Sequence, residues 1–274
     1  MTLFKGGIFL NIEELQKTCA MVRRDLVQMV TLAGSGHPGG SLSCVEMLVA
    51  LYFSVLRIDP ENPRLIGRDR FVLSKGHAAP AYYAVLGERG FLPKAELRTL
   101  RQLHSILQGH PDAKRTPGVD ASTGSLGHGV SIATGMAMAA KAQKSGVRVY
   151  TLLGDGELQE GMVWEALMAA AHYHLDNLTV LIDNNGLQID GSNEEVMSLG
   201  SLKAKMEAFG FFVLEVSDGN DIRKVLDALN VPAPQGIPKC ILAHTVKGKG
   251  VSFMENQAGW HGRAPSQAEC DTAM

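Results

Sequence analysis

Two short runs in this chain hold residues whose types and spacing can do chemistry. Gly154-Asp155-Gly156 follows the apolar run Val149 to Leu153, and Asn184-Asn185 follows a second apolar run, Leu178 to Ile182. Both runs read as strands, so both polar clusters lie at strand ends. In an open parallel α/β sheet the carboxyl ends of neighbouring strands line one crevice, where a carboxylate and an amide from two turns can converge. Asp155 offers a charged oxygen and Asn185 a neutral one. That set is too small for an all-protein calcium cage, but it suits magnesium, which keeps waters and borrows phosphate oxygens from a ligand. Gly156 leaves the backbone open to close approach, the helix expected after it presents free amides, and the Leu187 carbonyl stands two residues past Asn185. A diphosphate is the natural occupant. Gly-Asp-Gly alone reads first as a tight turn with Asp as a local cap; the paired asparagines after a second strand reverse that preference in favour of the metal reading.

Those strand ends need a sheet and helices to hold them. Apolar residues at helical spacing from Ile12 to Leu32, among them Leu15, Cys19, Val22, Leu26, Met29 and Val30, predict an opening amphipathic helix stopped at Gly34-Ser35-Gly36. Residues 35–40 read as a loop, and Ser43 as the cap of a helix from Val45 to about Leu56. Arg70 to Leu73 reads as a strand, Ser74 to His77 as a turn, residues 78–88 as a helix and 95–103 as a small helix. Gly109 to Gly129 has Pro111, Pro117 and no period, which predicts an ordered functional loop. A helix over Val130 to Lys144, a strand over Val147 to Leu153 and a helix from about Gln159 to His174 follow. Leu199 to Phe209 reads as a helix, Phe211 to Val216 as a strand, Asp221 to Leu229 as a helix capped by Asn220, and Lys239 to His244 as a last strand before a loop-rich tail. Repeated strand-helix-strand units imply right-handed crossovers and a doubly wound, mainly parallel α/β sheet flanked by helices, with residues 1–274 forming a single domain.

Composition narrows the function classes. Hydrophobic residues make up 45% of the 274, charged residues 20%, and there are 11 prolines, as in an ordinary globular protein. With 26 basic against 28 acidic side chains there is no global attraction to nucleic acid or membrane, so any anion site is local. The four scattered cysteines form no C-x-x-C pair, which fits a reducing compartment. The opening Met1 to Leu10 is a broken apolar run without a secretion signal, and no apolar stretch reaches the ~18 residues of a spanning helix. The expectation is a soluble, cytoplasmic chain. Neither H-E-x-x-H nor clustered Cys/His spacing points to a zinc hydrolase, a P-loop is missing, and Gly124 to Gly129 reads G-x-x-G-x-G rather than the dinucleotide order G-x-G-x-x-G.

Gly154-Asp155-Gly156, the spacer from Glu157 to Asp183, and Asn184-Asn185 resemble the thiamine diphosphate signature. Within that superfamily the chain resembles the transketolase family. The likeness runs through Gly36-His37-Pro38-Gly39-Gly40, Ser74-Lys75-Gly76-His77, Gly109-His110-Pro111, Thr116-Pro117-Gly118-Val119, Gly124-Ser125-Leu126-Gly127, Gly161 to Glu165, Gln188-Ile189-Asp190-Gly191 and Val246-Lys247-Gly248-Lys249-Gly250. The resemblance implies a thiamine diphosphate-binding fold. It also implies metal ligation by Asp155, Asn185 and the Leu187 carbonyl, with Mg2+ or another divalent cation such as Ca2+ or Mn2+. Gly156, His77 and His261 would lie near the diphosphate, and Gly124 and Leu126 would meet the cofactor through backbone atoms. By the same likeness His37, His110 and His261 would hydrogen-bond sugar hydroxyls and the oxygen of the carbon under attack. Glu160 and Glu165 stand roughly 140° apart at ~100° per helical residue and by themselves read as exposed; the resemblance puts them in a carboxylate network at a subunit interface. Lys247 and Lys249 read either as solvated charges or as a loop closing over anionic ligands. His172 and His174, near a helix end, read as structural, as does His104.

The resemblance also implies absences. Members of the family continue into pyrimidine-binding and C-terminal domains that have no counterpart in this sequence, including the glutamate that protonates the aminopyrimidine. The expectation is therefore a natural N-terminal subunit of a split transketolase, working with a separate C-terminal subunit in a two-plus-two heterotetramer. It would pass a two-carbon glycolaldehyde unit from a ketose phosphate to an aldose. Ser125 and His128 stand where proline and glutamine are common in the family, and Lys75 and Ala78 where asparagine and glycine are; these departures leave the sugar open, a branched or modified one included. Alternatives are a subunit of another thiamine diphosphate enzyme, such as a dehydrogenase E1 alpha chain or a deoxyxylulose-phosphate-type synthase, or a non-catalytic cofactor-binding module.

Overall fold

The computed structural model describes residues 10–274, so the broken apolar run at residues 1–9 lies outside the described residues. Helix α1 spans Ile12–Ala33 and is closed at its start by an Asn11 capping box with Glu14 and at its end by Gly34 in the left-handed conformation. Short helices α2 (Pro38–Leu42) and α3 (Val45–Ala50) follow, the latter running into a widened turn over Leu51–Val55. Strand β1 (Arg70–Leu73) leads to α4 (Ala79–Arg89), and α5 (His128–Ala142) leads to β2 (Val149–Gly154). Then come α6 (Gly161–His172), β3 (Leu178–Asn184), α7 (Asn193–Met197), α8 (Leu202–Ala208), β4 (Phe212–Val216), α9 (Ile222–Asn230), β5 (Lys239–His244) and α10 (Gln267–Ala273).

All five strands are parallel, in the order β1-β2-β3-β5-β4. Successive residues of a strand point to opposite faces, and the core divides accordingly. Phe71, Leu73, Leu152, Leu181 and Ile241 join one apolar cluster with α1, α3, α4 and α9. Val72, Leu153, Val180, Ile182 and Leu242 join a second with α5, α6 and α8. Both faces are thus covered, as a parallel sheet requires, and the carboxyl ends of the strands open along one edge.

Where elements differ from expectation, tertiary contacts explain it. Residues 38–42 are helical rather than loop, packed under the strand ends with every residue buried. Ser43 does not cap α3; its hydroxyl donates to the buried Asp183 carboxylate at 2.6 Å. Asn220 likewise does not cap α9, where Asp221 accepts from the Arg223 amide instead; Asn220 donates to the Ser43 carbonyl at 3.0 Å and accepts from the Val246 amide at 2.8 Å. The small helix expected over 95–103 is a 3-10 turn over Lys94–Thr99. It cannot continue because Arg101 and His104 have φ of 61° and 68°. Helices α7 and α10 escaped the periodicity reading because each is short, yet Ser192 and Ser266 accept from the amides of Glu195 and Glu269, an S-x-x-E start visible in the sequence.

Candidate functional site

Four strand ends build one site. After β2 the chain turns at Asp155, whose carboxylate is almost inaccessible and accepts from the Gly156 amide at 2.8 Å and the Gly186 amide at 2.5 Å. The Gly186 bond ties the turn after β2 to the turn after β3. In that second turn Asn185 Oδ1 accepts from the Leu187 amide at 3.1 Å, and Asn185 Nδ2 donates to Asp183 Oδ2 at 3.2 Å. After β5, Lys247 donates to the Leu187 carbonyl at 3.0 Å. After β1, Lys75 reaches back to Asp183 at 2.5 Å and to the Gly40 carbonyl at 2.7 Å. Asp155, Asn185, Leu187, Gly156, Lys75 and Lys247 line a single cavity of about 350 Å³ together with His37, His77, Gly124, Leu126 and His261. Other hollows, about 670 Å³ beside Arg23 and about 390 Å³ between α1 and α10, gather none of these strand-end groups.

Burial sets the electrostatics. It raises the Asp155 carboxyl to about 6, with the Asp183 charge adding and two backbone amides opposing. It lowers Lys247 to about 8. His77 is pushed well below its usual value by burial and then by Lys75 and its neighbouring imidazoles; His37 falls to about 4 and His261 to about 3, again led by burial. The three rings form a cluster with centroids 5.1 to 5.6 Å apart. His261 Nδ1 lies 2.9 Å from the Lys247 ammonium, which can only donate, so Nδ1 accepts and the proton sits on Nε2. Neutral imidazoles are therefore the working form at neutral pH.

The donors suit a hard cation shared with a ligand. One carboxylate, one amide and one carbonyl converge, and among the described residues no group of three or more His, Cys, Asp or Glu could hold a metal alone. A side chain at Gly156 would make only ordinary contact, 3.4 Å from Gln188 Cβ, so the opening it leaves on the cavity is not demanded by this chain's own packing. His37 Nδ1 and Gln188 Nε2 are buried without a hydrogen-bond partner, and both residues line the cavity. A diphosphate with a divalent cation fits this donor set. One expectation is corrected: a single 3-10 turn over Gly156–Gln159 separates Gly156 from α6, which begins at Gly161 rather than about Gln159, and the Gly156 amide is already bonded to Asp155.

The other candidates are dispersed. His110 does not line the cavity but packs on its wall, where a side chain at Gly124 would stand 3.1 Å from His110 Cγ. Glu160 is exposed at the rim, and Glu165 is exposed on α6 away from the cavity. Lys249 pairs with Glu255 at 3.5 Å rather than with the site. Sequence reasoning missed Asp183 and Glu157. Asp183 accepts from Lys75, Ser43, Asn185 and Thr245. Glu157 accepts from Ser74 at 2.5 Å and from the Gly127 and Gly154 amides. An acidic residue closing an apolar strand was the available signal for Asp183; for Glu157 the sequence carried none.

Known proteins resemble this chain in sequence and in fold. The chain is 43% identical over 266 residues to one of the subunits of the apulose-4-phosphate transketolase of Phocaeicola vulgatus, covering 97% of this chain and 94% of that one. It is 43% identical over 249 residues to a 6-deoxy-6-sulfo-D-fructose transketolase subunit of a Clostridium species, covering 90% of each. The crystal structure of transketolase from Campylobacter jejuni superposes with a TM-score of 0.91 at 36% identity; the match covers 96% of this chain but 42% of that longer one. Residues 15–273 match the transketolase, thiamine diphosphate binding domain family, and this chain belongs to it.

Proposed function

We propose that this chain is the N-terminal, diphosphate-binding subunit of a two-chain transketolase that transfers a two-carbon ketol unit from a ketose phosphate to an aldose. The observation that carries the reading is the convergence of Asp155, Asn185 and the Leu187 carbonyl in the cavity that also holds His37, His77 and His261. Asp155, Asn185 and the Leu187 carbonyl would hold Mg2+, or Ca2+ or Mn2+ in its place, against the diphosphate, with Gly156, His77 and His261 beside it. Gly124 and Leu126 would meet the cofactor through their backbone. Thiamine diphosphate, when bound, supplies the electron sink for breaking and remaking a carbon-carbon bond next to a carbonyl. His37, His110 and His261 would hydrogen-bond the sugar hydroxyls and the carbonyl oxygen; the depressed affinity of His37 and His261 for protons lets them both donate and accept at neutral pH.

We read residues 1–274 as one diphosphate-binding domain, with the pyrimidine and C-terminal domains supplied by a separate chain in a two-plus-two assembly in the cytoplasm. Among the described residues no helix is long and apolar enough to cross a membrane. Exposed Glu160 and Glu165 would enter a contact between subunits. The residues that bind the sugar phosphate would lie mostly on the other chain; the two subunit relatives, each 43% identical to this chain, carry different sugars in their names. Coexpression with a transketolase-like C-terminal chain, followed by a ketol-transfer assay, tests the reading. Turnover should require both chains, thiamine diphosphate and a divalent cation. Equal turnover by this chain alone, or none with both chains loaded, would sink it.

A further inference from the structure

Arg101 lies against Gly109 and within hydrogen-bond reach of Ser35, the residues that lead into His110 and His37. Its backbone has φ of 61°, a left-handed conformation that few non-glycine residues adopt. The Arg101 amide donates to the Leu107 carbonyl at 2.9 Å, closing a turn that throws the side chain back over Gly109. A side chain at Gly109 would stand 3.2 Å from the guanidinium carbon and from Nε, so the guanidinium lies flat where glycine leaves room. On its other side Arg101 Nη1 donates to Ser35 Oγ at 3.4 Å. Gly109 precedes His110, and Ser35 lies two residues before His37. One side chain thus meets Gly109, which opens one Gly-His-Pro segment, and Ser35, which directly precedes the other, and its charge acts on both imidazoles. Among the described residues it has no carboxylate partner, so no ion pair explains its placement.

We propose that Arg101 is a positioning residue for the sugar end of the site, its guanidinium running from Gly109 to Ser35 and so fixing the separation of His110 and His37, which those residues lead into. The inference rests on the proposed function for its consequence, not for its geometry. A guanidinium suits the task because it is planar and carries donors on both sides of its fork, whereas an ammonium is a point charge. A misplacement of about 1 Å between groups that hold one substrate can cost about 100-fold in rate.

Arg101→Gln, Arg101→Lys and Gly109→Ala test it. Gly109 does not have a positive φ, so alanine there acts by displacing the guanidinium rather than by straining the backbone. With the partner chain present, Arg101→Gln and Gly109→Ala should each lower kcat/KM for the sugars by about 10- to 100-fold, while the dissociation constant for thiamine diphosphate stays within about twofold. Arg101→Lys should keep most of the loss, since the charge remains without the fork. In the full chain alone, the imidazole NMR signals of His37 and His110 should move in both variants while those of the distant His172 stay. Unchanged kcat/KM with unchanged signals would overturn the proposal, and so would an equal loss of cofactor affinity and thermal stability, which would make Arg101 merely structural. A wild-type complex that binds cofactor but transfers no ketol unit would remove the proposed function; the NMR comparison would still decide the bridge, with unmoved His37 and His110 signals counting against it.

Discussion

The Lys75 ammonium lies 2.5 Å from the Asp183 carboxylate, and neither side chain reaches solvent. This pair locks the turn after β1 to the end of β3 beneath the candidate cofactor cavity. Burial alone would discharge both groups. Instead each holds the other charged: Lys75 is raised and Asp183 lowered, the latter helped by Ser43 and Thr245.

Removing one member should therefore cost more than removing both. Lys75→Met leaves a buried carboxylate without its cation and is expected to destabilise the chain by about 3–5 kcal/mol, whereas adding Asp183→Asn to it should recover part of the loss. Urea unfolding of the two single variants and the double variant checks this. Strictly additive losses would mean that the two charges do not stabilise each other.

The histidine cluster sets the acid response. In the unfolded chain His37, His77 and His261 take up protons near 6.5; in the fold burial and neighbouring positive charge hold them below that, His37 at about 4 and His261 at about 3. Between those values the unfolded state binds more protons, so stability falls as pH falls. Asp155, raised to about 6, works in the opposite direction over pH 4 to 6, as do Glu157 and Glu88, both raised by burial, while the lowered His110 adds to the histidine side; the histidines begin to act at higher pH. The thermal midpoint of the cofactor-free chain should drop between about pH 7 and about pH 5, and His77→Asn should flatten the drop. A midpoint that rises on acidification would contradict the buried, neutral cluster.

Metal dependence should pass through Asp155. In the reconstituted enzyme with Mg2+, Asp155→Ala is expected to weaken thiamine diphosphate binding by about 10- to 100-fold, measured by titration calorimetry. Chelating the metal should produce a similar loss in the wild type and little further loss in the variant. Equal affinity in variant and wild type would take Asp155 out of the cofactor site.

Much of this was legible because strands and long amphipathic helices are written in local periodicity. The opening helix from Ile12 and the strand from Lys239 to His244 were expected at those starts and are found there. Caps were less legible. Ser43 and Asn220 have the right residue types for helix starts, but the buried Asp183 and the loop at Val246 compete for their hydrogen bonds and win. Glu157 looked like the first residue of a spacer; only folding brings Ser74 and Gly127 within reach of its carboxylate.

The sequence by itself determined the sheet class and the polar turns of the candidate metal site, because Asp155 and Asn185 each directly follow an apolar strand and a parallel sheet sends such ends to one edge. Tertiary structure alone decided which side chains meet there. Lys75 and Asp183 are 108 positions apart, and Arg101 and Ser35 are 66 apart. Contacts at such separations depend on strand order, loop closure and the energetic demand that buried charges find partners, none of which a local pattern of residues encodes.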